Sequence, residues 1–111
     1  MTYFAHDRSG AMETNPPIER LRELLQSLDA EDYEHPDVAL THDSEWCLSA
    51  YRSGLLVWEN LNEAGSFSAW HMTFVPREKV LELWLKLAQG DLAAVQAEPW
   101  LPGHGGSPAT T

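Results

Sequence analysis

Residues 46–90 constrain the fold more than any other part of this chain, and four of its five tryptophans lie there. Three segments alternate in side-chain character, and a fourth has helical spacing. In residues 45–51, Trp46, Leu48 and Ala50 fall on one side. In residues 55–61, Leu56 and Trp58 do so, and in residues 67–75, Trp70, Met72 and Phe74. Strand side chains have period two, so these sets can share one buried face. The polar, Gly-containing loop at residues 62–66 suits a hairpin, and folding about Ala64 pairs Trp58 with Trp70 and Leu56 with Met72. The preceding turn is Arg52-Ser53-Gly54. A three-residue loop with Gly54 left-handed pairs Leu48 with Trp58 and Ala50 with Leu56. A two-residue loop would slip the register by one and turn Leu48 away from Trp58, so burial of the aromatics selects the longer turn.

A helix should follow directly. Pro76 suits its first turn, where a missing N–H costs nothing. Val80, Leu81, Trp84, Leu85, Leu87 and Ala88 then recur at three- and four-residue spacing, and Gly90 is a natural stop. Trp84 is expected to meet the Trp58/Trp70 face. A second amphipathic helix is expected over residues 16–28. Asn15 would be its cap, Pro16 its first residue, and Ile18, Leu21, Leu24, Leu25 and Leu28 its core stripe. A short last helix over residues 91–97 is capped by Asp91, and Trp100 anchors the chain beyond it. Residues 38–41 read as a fourth strand beside the Trp46 strand, turning at Asp43-Ser44. The expected fold is therefore α+β: an antiparallel sheet of three to four strands with helices packed mainly on one face. Residues 1–15 lack a stable period and read as a mobile arm, 16–102 as a single domain, and 103–111 as a disordered tail.

At 111 residues the chain has enough length for one core. It holds no apolar run of membrane-spanning length, and its start lacks a signal-peptide pattern. The single cysteine rules out an internal disulfide framework. A cytoplasmic protein is the simplest expectation. The net charge of −10 argues against nucleic acid as a partner, because phosphate binding needs clustered Lys and Arg. Seven carboxylates fall between residues 29 and 45: Asp29, Glu31, Asp32, Glu34, Asp37, Asp43 and Glu45. No Lys or Arg lies between Arg22 and Arg52. Such clustering exceeds what solubility requires and suits steering of a basic protein partner.

Two other sites deserve a chemical reading. His35, Asp37, His42, Asp43 and Glu45 have ligand atoms, but their spacing fits no metal motif, and no cofactor is expected. On the second face of the sheet, Cys47 neighbours Glu59, and His71 lies diagonal to Glu59. A Cys/Glu/His grouping can support nucleophilic or general-base chemistry, so a small enzyme or ligand-binding protein is the alternative. No nucleophile elbow or phosphate loop accompanies it, so an enzyme is the weaker expectation. The same face carries Tyr51, Leu55, Val57, Phe67 and Val75, which would also suit burial against a partner or in a homodimer.

The string Gly54-Leu-Leu-Val-Trp-Glu-Asn-Leu, then Trp70-His-Met, then Pro76-Arg-Glu-Lys-Val-Leu-Glu-Leu-Trp-Leu-Lys-Leu-Ala-Gln-Gly-Asp91, resembles a group of small bacterial α+β proteins. Some proteins of this appearance resemble immunity proteins of bacterial toxin systems. The resemblance spans roughly residues 45–101. It implies a non-enzymatic protein that occupies a basic toxin surface, and it assigns no catalytic residue.

Overall fold

The computed structural model describes residues 2–8, 11–29, 37–60 and 69–102. In chain order the elements are β1 (Tyr3–His6), β2 (Met12–Thr14), α1 (Ile18–Ser27), β3 (Asp37–His42), β4 (Trp46–Tyr51) and β5 (Leu56–Asn60). Then come β6 (Ala69–Met72), α2 (Arg77–Ala88), α3 (Leu92–Gln96) and β7 (Leu101–Pro102). The fold is α+β, but the antiparallel sheet has seven strands, not three or four, in the order β2-β1-β3-β4-β5-β6-β7.

The centre follows the aromatic pattern. Gly54 is left-handed, with φ +92°, and Gly54 N–H donates to the Tyr51 carbonyl at 3.0 Å. The resulting register pairs Leu48 with Trp58 and Ala50 with Leu56, and across the next hairpin Trp58 with Trp70 and Leu56 with Met72. The loop expected at residues 62–66 lies outside the described residues. Val38 and Leu40 of β3 pair with Ala50 and Leu48, which extends the same apolar face. Onto this face α1, α2 and α3 deliver Leu21, Leu24, Leu25, Leu28, Val80, Leu83, Trp84, Leu87 and Val95, all buried in one core. Trp58 is the hub of the aromatic part. Its ring stacks on Trp46 at 4.6 Å and 12° and lies 6.2 Å from Trp100. Trp84 meets the face as expected, and its indole N–H donates to the Leu48 carbonyl at 3.0 Å. The Trp100 indole likewise donates to the Val95 carbonyl at 2.7 Å and so holds the last segment to the body.

The two extra strands on one flank come from the segment expected to be a mobile arm. Tyr3–His6 pairs along β3, placing Ala5 opposite Leu40, and β2 then pairs with β1. Ala5 is fully buried. One small core residue in a four-residue strand leaves no legible alternation, which is why the pattern concealed it. Polar contacts hold the strand in place. Thr2 N–H donates to Asp43 Oδ2 at 3.1 Å, Tyr3 N–H to Asn15 Oδ1 at 2.9 Å, and the Tyr3 hydroxyl to the Pro16 carbonyl. Asn15 therefore does not cap α1. It is left-handed at φ 49°, and Pro17 holds the cap position. Arg20 of α1 closes on Glu13 of β2 at 2.6 Å. On the other flank, β7 pairs its two residues with Trp70 and His71.

Phe74 departs most from the expected alternation. Instead of sharing the core face with Trp70 and Met72, it is left-handed at φ 56° and 88% exposed. That turn moves Val75 from the second face into the core, and Val75 N–H donates to the Gly54 carbonyl at 2.9 Å. Pro76 then occupies the cap of α2 rather than its first turn. At the far end Gly90 is left-handed at φ 79°, as a helix stop requires. Asp91 caps α3 by accepting from Ala94 N–H at 3.2 Å.

Two stability experiments follow from this arrangement. Trp58→Ala should cost about 3–5 kcal/mol in urea titration, the range for truncating a buried aromatic. Deleting residues 1–14 strips β3 of its outer ladder and exposes Val38 and Leu40 at the new edge. A loss of at least about 3 kcal/mol, seen as a Tm lower by roughly 10 °C or more, is expected in a thermal scan. An unchanged Tm would mean that β1 adds nothing to the sheet.

Candidate functional site

The register divides the sheet chemically. One face is the core. The other brings together Phe4 and His6 of β1, Asp37, Ala39 and Thr41 of β3, and Cys47, Ser49 and Tyr51 of β4. It also receives Val57 and Glu59 of β5 and Ala69 and His71 of β6. Every buried helix residue joins the core on the first face, so the described helices leave this second face to the sheet itself. Its middle consists of small, buried side chains: Ala39, Thr41, Cys47, Ser49, Val57 and Ala69. Around them stand the half-buried Phe4, His6, Asp37, Tyr51, Glu59 and His71.

Cys47 sits directly opposite Glu59, and His71 opposite Val57, so the Cys/Glu/His grouping is assembled as the alternation implied. Its electrostatics do not suit a nucleophile. Burial pushes the Cys47 thiol up, and the nearby Glu59 and Asp37 charges push it further, outweighing the hydroxyls of Thr41 and Ser49. Ser49 Oγ lies 3.7 Å from the sulfur. A reactive cysteine needs the opposite, an electropositive setting that favours thiolate. The Thr41 hydroxyl stands beside the sulfur but makes no hydrogen bond of ordinary geometry, although it is buried.

The carboxylates on this face are more informative. Asp37 is pushed up chiefly by burial and also by the Glu59 charge. Its own backbone amide and His6 oppose that shift without cancelling it. Tyr51, paired directly with Asp37 across the strands, is raised by burial and then by Asp37 and Glu59. The Asp37 end of the face therefore holds a carboxylate whose charged form burial disfavours. Sequence spacing could not reveal the added effect of Glu59, which lies outside the acidic segment and shares a face with Asp37 only through the register of β3, β4 and β5.

The acidic segment is not one surface. Asp29 sits beyond α1, 3.6 Å from Arg77 of α2, so a base does compensate it. Asp37 belongs to the second face. Asp43 occupies the β3–β4 turn, tied to Thr2 and 3.2 Å from His42 Nδ1, with the left-handed Glu45 beside it. Glu31, Asp32 and Glu34 lie outside the described residues. Of the metal grouping, His35 lies outside the described residues, and Asp37 is parted from His42 and Asp43. His42 is buried on the core side, where its Nδ1 accepts from Ser44 N–H at 3.1 Å, whereas Asp37 faces the other way. Among the described residues no three His, Cys, Asp or Glu side chains are grouped to hold a metal ion. Of the apolar residues expected on the second face, Val57 and Tyr51 are there and Val75 is in the core. Leu55 is half-buried in the β4–β5 turn, and Phe67 lies outside the described residues.

The Asp37 shift has a consequence for stability. A carboxyl raised above 3.8 binds its proton more tightly folded than unfolded. Stability is then greatest with Asp37 protonated and declines as pH rises from 3.8 to the folded value, staying lower above it. Asp37→Asn should raise Tm by a few degrees at about pH 7 and lose that advantage near about pH 3 in scanning calorimetry. A lower Tm at neutral pH would show that the carboxylate is a structural partner instead. No family model matches the chain, and no curated protein or solved structure matches it.

Proposed function

We propose that this chain is a non-enzymatic binding protein whose second sheet face receives a basic protein partner, with a bacterial toxin as the partner class implied by the immunity-protein resemblance. One observation carries the reading. Asp37 lies on the second face directly across from Tyr51, and Glu59 lies on the same face, close enough for its charge to add to the burial that raises Asp37. The half-buried Asp37 carboxylate is opposed by burial, and an incoming Lys or Arg would favour its charged form. Guanidinium suits such a place because it pairs with carboxylates and stacks on a phenol ring. The net charge of −10 adds long-range steering. Asp43 and Glu45 extend the negative potential along the neighbouring turn. The rival enzymatic reading lacks an activated nucleophile, since Cys47 is held as a thiol.

The test is kinetic. The partner is sought by co-purification from the source cell, and its binding is followed by surface plasmon resonance. The double change Asp37→Asn with Glu59→Gln should slow association about tenfold or more at low salt and flatten its salt dependence. Glu19→Gln, on the exposed side of α1, serves as the control and should change little. An acidic partner, or association as fast after the double change as before it, would overturn the reading.

A further inference from the structure

We propose that two copies of this chain associate symmetrically, the Phe74 ring of each seating in the groove between α1 and α2 of the other. The inference is separate from the partner-binding reading and uses a different part of the surface.

Phe74 is costly where it stands. Its φ of 56° is a conformation that residues with a Cβ adopt rarely, and its ring is 88% exposed. Burial of Val75 and its bond to the Gly54 carbonyl hold the backbone, but the exposed ring itself is left to solvent. An exposed aromatic ring can serve as an anchor when a pocket on the other side receives it.

A matching pocket lies close by. Between α1 and α2 is a groove of about 190 Å³ with Leu25 and Leu81 in its lining and Arg22, Gln26, Asp29, Arg77 and Glu78 around them. An apolar cavity of roughly 150 Å³ takes a benzene molecule, so a phenyl ring fits in size. Knob and groove occupy the same end of the molecule. Phe74 precedes Arg77 by three residues, and Arg77 both lines the groove and reaches the Tyr51 and Arg52 carbonyls beneath the Phe74 turn. A two-fold contact needs this adjacency, because each surface must supply both the inserted residue and its receptor.

Charge selects the same end. At a net charge of −10, two copies repel over most of their surface. Arg22, Arg52 and Arg77, three of the seven basic residues, gather here beside Asp29 and Glu78. Arg22 of one copy can then face Glu78 of the other, a charge match that favours association through this groove.

Sedimentation equilibrium of the full chain tests the proposal. Wild type should approach twice 12.5 kDa as concentration rises. Phe74→Gly should stay near 12.5 kDa, with dimerisation weakened by roughly a thousandfold because both symmetric anchors go at once. Its Tm, measured below the dimerisation range, should hold or rise, since glycine accepts the left-handed backbone. Arg22→Glu, an exposed change on the groove rim, should also weaken the dimer. In a mixture of isotope-labelled and unlabelled chains, intermolecular NOEs should link the Phe74 ring to Leu25 and Leu81 methyls. A wild type that remains monomeric up to roughly 1 mM would overturn the proposal. So would a dimer that survives Phe74→Gly, or one whose NOEs arise from the second sheet face.

Discussion

The left-handed turn at Gly54 is the constraint on which the rest of the structure depends. Its φ of +92° permits a three-residue connection, and that length sets the β4–β5 register. Slipping the register by one would exchange the sheet's two faces locally, sending Cys47 and Glu59 toward the core and Leu48 and Trp58 away from it. The same glycine admits the next segment. A Cβ at position 54 would lie 3.1 Å from the Phe74 Cα, closer than backbone tolerates without moving. Because Gly54 has none, the Phe74 turn can settle against it, Val75 can donate to its carbonyl, and α2 can begin at the angle that carries Trp84 under Leu48. One residue thus couples the hairpin, the helix and the division of the sheet into an apolar and a polar side.

Legibility in the sequence tracked the size of the apolar signal. The β4–β5–β6 register was readable because Trp58 and Trp70 dominate their segments, so one pairing buries far more area than its rivals. The helices were readable for the same reason, and Gly90 and Asp91 marked their ends. β1 and β2 were not readable. Their side chains give the core only Ala5 and the flank of Tyr3, and their attachment is mainly backbone ladder and polar contacts such as Tyr3 to Pro16 and Glu13 to Arg20. Backbone hydrogen bonding is common to every residue but proline and leaves no trace in side-chain pattern. Phe74 escaped for a different reason. Period-two alternation assumes an extended backbone, and a single left-handed residue reverses every assignment after it.

The candidate site was half legible by the same logic. The Cys47, Glu59 and His71 grouping follows directly from the hairpin register, so it could be drawn before any coordinates. The placement of Asp37 and Glu59 on one face could not, because it spans β3, β4 and β5 and Asp37 lies just outside the fourth strand read at residues 38–41. The clustering of acids along the chain misled in the opposite direction. Neighbours in sequence diverge onto different sides within one strand and one turn, so Asp29, Asp37 and Asp43 end in three unrelated settings.

What each carboxylate touches separates structure from function more sharply than the net charge does. Asp91 caps α3, Glu13 holds β2 to Arg20, Asp29 lies against Arg77, and Glu98 receives Lys79 at 3.0 Å. Each of these serves the fold where it stands, by a modest amount typical of caps and partly exposed pairs. Asp37 does the reverse. Burial and the Glu59 charge both act against its ionised form, and a neutral amide of the same shape would fit that corner at lower cost. A charge that opposes the stability of its own fold, at the half-buried rim of a face that the described helices do not pack against, is where an external cation would gain from binding. The physical argument for a basic partner therefore rests less on how acidic the chain is than on Asp37, whose charge works against its own fold.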